Sequence, residues 1–134
     1  MHPLFAQASG LTHDVIGAAI EVHKDKGPGL LESIYEWCLT VELELRGHQV
    51  QNQDQVVVRY KQFQRKYPLR FDLLVDRCLF VEVKATDDVH PINKAQLLSY
   101  MKLLDIPLGL IINFNELKLT DGVSRLIIPG ANLE

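Results

Sequence analysis

The sequence predicts a single α/β domain with its elements in the order ααβββαββ. Two stretches with apolar residues at helical spacing flank a Gly27-Pro28-Gly29 corner, and from Gln49 the pattern turns strand-like. A third helical stretch is then followed by a continuous apolar run, Leu108 to Ile112. At 134 residues one core accounts for the chain. The domain is expected over residues 11–128, with residues 1–10 a loose N-terminal leader because they show no periodicity.

Thr12 is a candidate N-cap for the first helix, and Val15, Ile16, Ala19, Ile20 and His23 recur along it at helical spacing. Glycine caps helices well and proline cannot continue their hydrogen-bond ladder, so the helix is expected to stop at the Gly-Pro-Gly corner. A second helix is expected from about Leu30 to Arg46, closed by Gly47, with Leu31, Ile34, Cys38, Val41 and Leu45 as its apolar stripe. Val56-Val57-Val58 reads as a strand, Lys61 to Gln64 as a polar turn region, and Tyr67 to Val75 as a second strand. Asp76-Arg77 is a short turn, and Leu79 to Lys84 a third, largely buried strand. Such short polar links argue for an antiparallel meander. A third helix is expected over Ile92 to Leu104, ending before Pro107. The run at Leu108 has the length and composition of a strand covered on both faces, and a last strand, Arg125 to Ile128, follows a turn at Asp121-Gly122.

Apolar residues make up 47% and charged residues 23%, which places the chain among ordinary globular proteins. No apolar run has the length of a membrane span and no signal-peptide pattern opens the chain, so a cytoplasmic protein with no membrane partner is expected. Cys38 and Cys78 lie far apart among apolar neighbours, which speaks against structural zinc and iron–sulfur clusters. A net charge of −3 argues against an extended electrostatic grip on nucleic acid, although acids gathered to bind a cation would add to the negative count. Leu133-Glu134 has the look of a vector-derived tail and carries no weight.

Charged residues interrupt the buried strands at Asp72 and at Glu82-Val83-Lys84. Side chains alternate along a strand, so Glu82 and Lys84 share a face. If the two strands are neighbours, Asp72 lies beside Glu82. Burying such charges costs several kcal/mol unless they are paired or bind a metal. Two adjacent carboxylates repel, and a divalent cation reverses that repulsion. The alternative is a cross-sheet salt bridge through Lys84. A second Glu-x-Lys triplet, Glu116-Leu117-Lys118, follows Asn113-Phe114-Asn115 outside any buried strand and reads as surface decoration.

Gly29-Leu30-Leu31-Glu32-Ser33-Ile34-Tyr35 resembles the Gly-x-x-Glu-x-x-Tyr signature of the GxxExxY protein family, which is grouped with the PD-(D/E)XK nucleases. The similarity extends over Gly17 to His23, the Gly-Pro-Gly corner, Gln96 to Tyr100 and Leu108 to Phe114, and so covers roughly residues 11 to 128. Gln96-x-x-x-Tyr100 also resembles the motif that follows the Glu-x-Lys strand in RecB-type and phage-exonuclease-type nucleases. The resemblance implies a restriction-endonuclease-like core, a mixed β-sheet flanked by helices. It implies that Glu32, Asp72 and Glu82, with the Val83 carbonyl, ligate Mg²⁺ or Mn²⁺, and that Lys84 orients the attacking water. Gln96, Tyr100 and Tyr35 are then substrate-binding. Phe71 precedes Asp72 where the superfamily name has proline.

Each supporting residue also has a plainer explanation. A carboxylate in the first turn of a helix, such as Glu32, is stabilised by the helix dipole alone. Gln96 and Tyr100, with Asn93, could form a solvated helix face, Tyr35 could serve core packing, and His23 could cap its helix. The leading expectation is a metal-dependent nuclease with DNA favoured over RNA. The alternatives are a non-catalytic scaffold that works through a partner, and a hydrolase of a small phosphate ester. A homodimer or protein partner is a further expectation, since one small domain needs help to cut both strands of a duplex.

Overall fold

The Gly-Pro-Gly corner folds the first half of the chain into two packed helices. The computed structural model describes residues 1–134, with α1 at Phe5–Lys26 and α2 at Glu32–Leu45. They are followed by β1 (Val50–Tyr60), β2 (Phe63–Val75), β3 (Leu79–Lys84), α3 (Pro91–Leu104), β4 (Leu108–Asn113), a 3₁₀ turn (Leu119–Gly122) and β5 (Val123–Ile127). Gly27 takes a positive φ of 73° just past α1, and its N–H closes the last turn on the His23 carbonyl.

The five strands lie in the order β1-β2-β3-β4-β5. β1, β2 and β3 form the expected antiparallel meander, β3 and β4 run parallel across the α3 crossover, and β5 returns antiparallel to β4. The result is a mixed sheet between helical layers. Leu73, Val75, Leu79, Val81 and Val83 join the larger core with α1 and α2, whereas Leu74, Phe80 and Ile111 pack with Leu97 and Met101 of α3. β4 is buried along its whole length, as its uninterrupted apolar sequence requires. α3 comes close to β4 at Gly109, where a Cβ would stand 2.9 Å from the Met101 sulfur.

Three expectations need correction. Residues 1–10 are not a loose leader. α1 starts at Phe5, Ala8 is fully buried, and the His2 ring reaches Asp105 at 3.0 Å. Tertiary packing rather than a capping side chain fixes this start, and Thr12 lies inside the helix with its hydroxyl donating to the Ser9 carbonyl. On α2 the core side is Tyr35, Leu39 and Leu43, not the expected stripe, of which Leu31 and Leu45 are 71% and 78% exposed. β1 and β2 also run well beyond the expected segments. They form a long hairpin that reverses at Lys61-Gln62, with Tyr60 opposite Phe63.

Asp76 and Arg77 both adopt positive φ in the three-residue turn, Asp76 to Cys78, between β2 and β3. His48 bonds Asp76 at 2.7 Å through Nδ1 and Asp14 through Nε2, tying this turn to α1. These hydrogen bonds, Asp14 foremost, raise the pKa of His48. At the opposite end of the sheet, the buried Asn113 amide donates to the Thr86 carbonyl and accepts the N–H groups of Thr86 and Asn115, which fixes the chain leaving β3.

Candidate active site

The β2–β3 ladder ends at Leu73 opposite Val81, and the next residue along β2 is Asp72. Its carboxylate accepts the Val83 N–H at 2.7 Å, so a side chain takes the acceptor position that a strand carbonyl would otherwise fill. A register jump explains how Asp72 reaches this seam. Gln51 pairs with Leu74 but Gln53 pairs with Arg70, so two residues along β1 correspond to four along β2. The extra residues form a bulge at the base of the hairpin, and bulges re-aim side chains. Phe71 turns to pack edge-on against Phe80, with ring centroids 5.0 Å apart. The position held by proline in the superfamily name is thus an apolar anchor.

Glu82 and Lys84 project from β3 on the α3 face, beside Phe80. The Lys84 ammonium lies 3.9 Å from one Glu82 oxygen, an ion pair too long for a hydrogen bond. The other oxygen, Oε2, is buried and has no hydrogen-bond partner. Such an orphan normally costs about 1–3 kcal/mol, which marks the position as one a cation or a proton would satisfy. Burial pushes the pKa of Glu82 up, opposed by Lys84 and reinforced by Asp72 and Glu32. Asp72 is also raised, chiefly by burial and against the pull of the Val83 N–H and Lys84.

Asp72 and Glu82 line a cavity of about 120 Å³ together with Arg70, Gln96 and Tyr100. The two α3 residues named from the sequence therefore face the two strand carboxylates across one space. Asp72 also borders a larger cleft of about 530 Å³ between α2 and the base of the hairpin, with Ser33, Glu36, Trp37 and Gln51 to Gln53. Glu32 is half-buried at the start of α2, and its charge acts on both Asp72 and Glu82.

Tyr35 is not part of the site. It is fully buried, stacks on Phe114 at 4.5 Å, donates to the Gly27 carbonyl at 2.5 Å and accepts the Leu30 N–H at 3.0 Å. Its work is to hold the Gly-Pro-Gly corner, so the role of Tyr35 is structural. His23 likewise bonds the Glu116 carbonyl at 2.7 Å. Two further charged residues each share a cavity with Asp72. Glu36, one turn after Glu32, has its pKa raised by burial first and then by Asp72 and Glu32; its i, i+4 spacing from Glu32 was the available signal. Arg70 precedes Asp72 by two residues on the same strand and brings a cation to the rim.

No three His, Cys, Asp or Glu side chains converge into a ready-made metal cage, so Glu32, Asp72 and Glu82 are not gathered in one cluster. The donors present are nevertheless hard oxygens around an unsatisfied buried carboxylate oxygen, a set suited to Mg²⁺, which binds through one or two carboxylates and keeps several waters. No curated protein and no solved structure matches the chain. Residues 9–126 match the family described as the PD-(D/E)XK nuclease superfamily, whose fold accommodates this mixed five-stranded sheet and its three helices. The chain belongs to the PD-(D/E)XK nuclease superfamily.

Proposed function

We propose that this chain is a Mg²⁺- or Mn²⁺-dependent nuclease that hydrolyses phosphodiester bonds, with DNA as its polymer, and that within the superfamily it sits with the GxxExxY proteins. The observation that carries the reading is the buried, partnerless Glu82 Oε2 beside Asp72, in a cavity that also holds Gln96 and Tyr100. Asp72 and Glu82 are the carboxylates that hold the cation. The Val83 carbonyl is a third donor, since it points to the same side of β3 as the N–H that Asp72 accepts. Glu32 and Glu36 add negative charge from α2. When bound, the ion lowers the pKa of a water and offsets charge that builds on the phosphate.

Lys84 orients the attacking water and stabilises its deprotonated form, close enough to Glu82 to be held there by charge. Gln96 and Tyr100 offer an amide N–H and a phenolic O–H to the phosphate oxygens. In-line attack then leaves a 5′-phosphate and a 3′-hydroxyl. A polymer is favoured over a small phosphate ester because Asp72 opens onto the larger cleft as well as the narrow cavity, and because Arg70 stands at the rim.

The test is incubation of linear duplex and single-stranded DNA with the protein and Mg²⁺ or Mn²⁺, alongside Asp72→Asn and Lys84→Ala. Asn keeps an acceptor for the Val83 N–H, so loss of cleavage in that variant reports the carboxylate charge rather than a broken sheet. Metal-dependent cleavage that disappears in both variants is the expected outcome. Cleavage that survives Asp72→Asn removes the proposed site.

A further inference from the structure

A net charge of −3 hides a sharp segregation. Residues 55–71 contain five Lys and Arg and no Asp or Glu, so this segment carries +5 and the rest of the chain −8. The segment is the distal part of the β1–β2 hairpin, about 20 Å of paired strand beyond Asp54↔Leu69. None of its cations is neutralised by a carboxylate: Arg59, Lys61, Arg65, Lys66 and Arg70 take part in none of the molecule's ion pairs. Three aromatic rings stand among them in solvent, with Tyr60 67%, Phe63 68% and Tyr67 43% exposed.

Strand alternation sorts these side chains. Tyr60 pairs with Phe63, Val58 with Arg65 and Val56 with Tyr67, so the three rings and Arg65 share one face of the ribbon. Arg59 and Lys66 fall on the other face, and Lys61 occupies the turn. Lys61 lies 5.3 Å from the Tyr60 ring and Arg65 5.2 Å from the Tyr67 ring, so cation and ring sit together at the surface. By the same alternation Arg70 falls on the Lys66 face, and it lines the cavity that contains Asp72 and Glu82.

We infer that the distal β1–β2 hairpin is a grip for an unpaired nucleic-acid strand, its rings stacking on bases, its cations meeting phosphates, and its root delivering the strand to Asp72. The inference rests on the nuclease reading for the identity of the polymer and adds where and how it is held. A row of exposed rings on one face matches the flat faces of unpaired bases, and uncompensated positive charge matches a polyanion. An anionic lipid surface would also attract the charge, but it gives no reason for the cations of the Lys66 face to lead through Arg70 to the carboxylate cavity.

The test uses the full chain in EDTA, which separates binding from cleavage. Fluorescence anisotropy would follow a labelled oligothymidylate of about twenty nucleotides, its duplex with oligoadenylate, and phosphatidylserine vesicles as competitor. A ring variant (Tyr60→Ala, Phe63→Ala and Tyr67→Ala together) should weaken single-strand binding at least about tenfold and duplex binding far less. A charge variant (Lys61→Gln, Arg65→Gln and Lys66→Gln together) should lower the slope of log affinity against log salt by about 2. Thermal melting establishes that both variants fold, and the two act on different properties of the same arm. Wild-type binding by both variants overturns the grip even if the protein cleaves DNA, and displacement of the oligonucleotide by vesicles overturns it in favour of a membrane. Hairpin-dependent binding without cleavage in Mg²⁺ leaves the grip in place and removes the nuclease reading instead.

Discussion

Two Glu-x-Lys triplets lie in this chain, and their surroundings have little in common. Glu82-Val83-Lys84 ends a strand whose preceding residues, Leu79 to Val81, are buried, and Glu82 leaves an oxygen there without a partner. Glu116-Leu117-Lys118 lies in the loop after β4, with Leu117 93% exposed. The first takes one carboxylate oxygen out of reach of water, and the second leaves its lysine exposed and its glutamate half-buried. The same residue pattern is a candidate site in one setting and inert in the other, because the desolvation cost differs.

The sharpest way to break the contrast is catalysis. Glu82→Gln should lower DNA cleavage by on the order of 10³-fold, as removal of one preorganised charge does, while Glu116→Gln cleaves like the parent. Equal loss in both, measured by single-turnover cleavage in Mg²⁺, would erase the distinction. Cation binding comes next. Mn²⁺ at about a hundred times its dissociation constant should stabilise the folded chain by about 2.7 kcal/mol, and thermal melts should show this gain lost in Glu82→Gln and kept in Glu116→Gln.

A smaller effect concerns pH without metal. Glu82 has a raised pKa, so its contribution to stability is complete below the unfolded value near 4.3 and falls as pH rises through the folded value. His48, also raised, keeps its full contribution below about 6.5, and Asp14, lowered mainly by His48, keeps its own above about 3.9. Asp72 and Glu36 are raised as well and act in the same sense, so between about pH 4.5 and 6 denaturant unfolding should show stability declining with pH. The decline should lessen in Glu82→Gln, with the part due to Asp72 and Glu36 retained, and persist in full in Glu116→Gln. The smallest expected difference belongs to the second triplet itself. Its main chain, not its side chains, is used, since His23 bonds the Glu116 carbonyl. His23→Ala should cost about 1 kcal/mol in urea unfolding, whereas Glu116→Ala stays within about 0.5 kcal/mol.

Much of the fold was legible because its signals were local. The bounds of β3 follow from an apolar run between an Asp-Arg turn and Ala85, and the Gly-Pro-Gly corner marks the break between the helices. The placement of Asp72, Glu82, Gln96 and Tyr100 around one cavity was also legible, from alternation and the resemblance together. What escaped depended on contacts that spacing does not encode. α2 and the residue before it carry two apolar sets, Leu31/Ile34/Cys38/Val41/Leu45 and Tyr35/Leu39/Leu43, and tertiary packing, including the stack of Tyr35 on Phe114, decides which faces inward. The start of α1 depends on packing by Leu4 and Phe5, far from any cap. Net charge averages over the chain, so the basic hairpin vanished into a total of −3.

The bond from the Val83 N–H to the Asp72 carboxylate has a consequence for inheritance and redesign. An acid that also serves as a rung between two strands cannot be moved to another position without unpicking the seam it closes. Any chemistry at Asp72 is therefore transmitted together with the alignment of the strands. Anyone transplanting this centre to another scaffold has to carry over the bulge and the strand end with the acid, since the residue alone would arrive without the geometry that gives it its role.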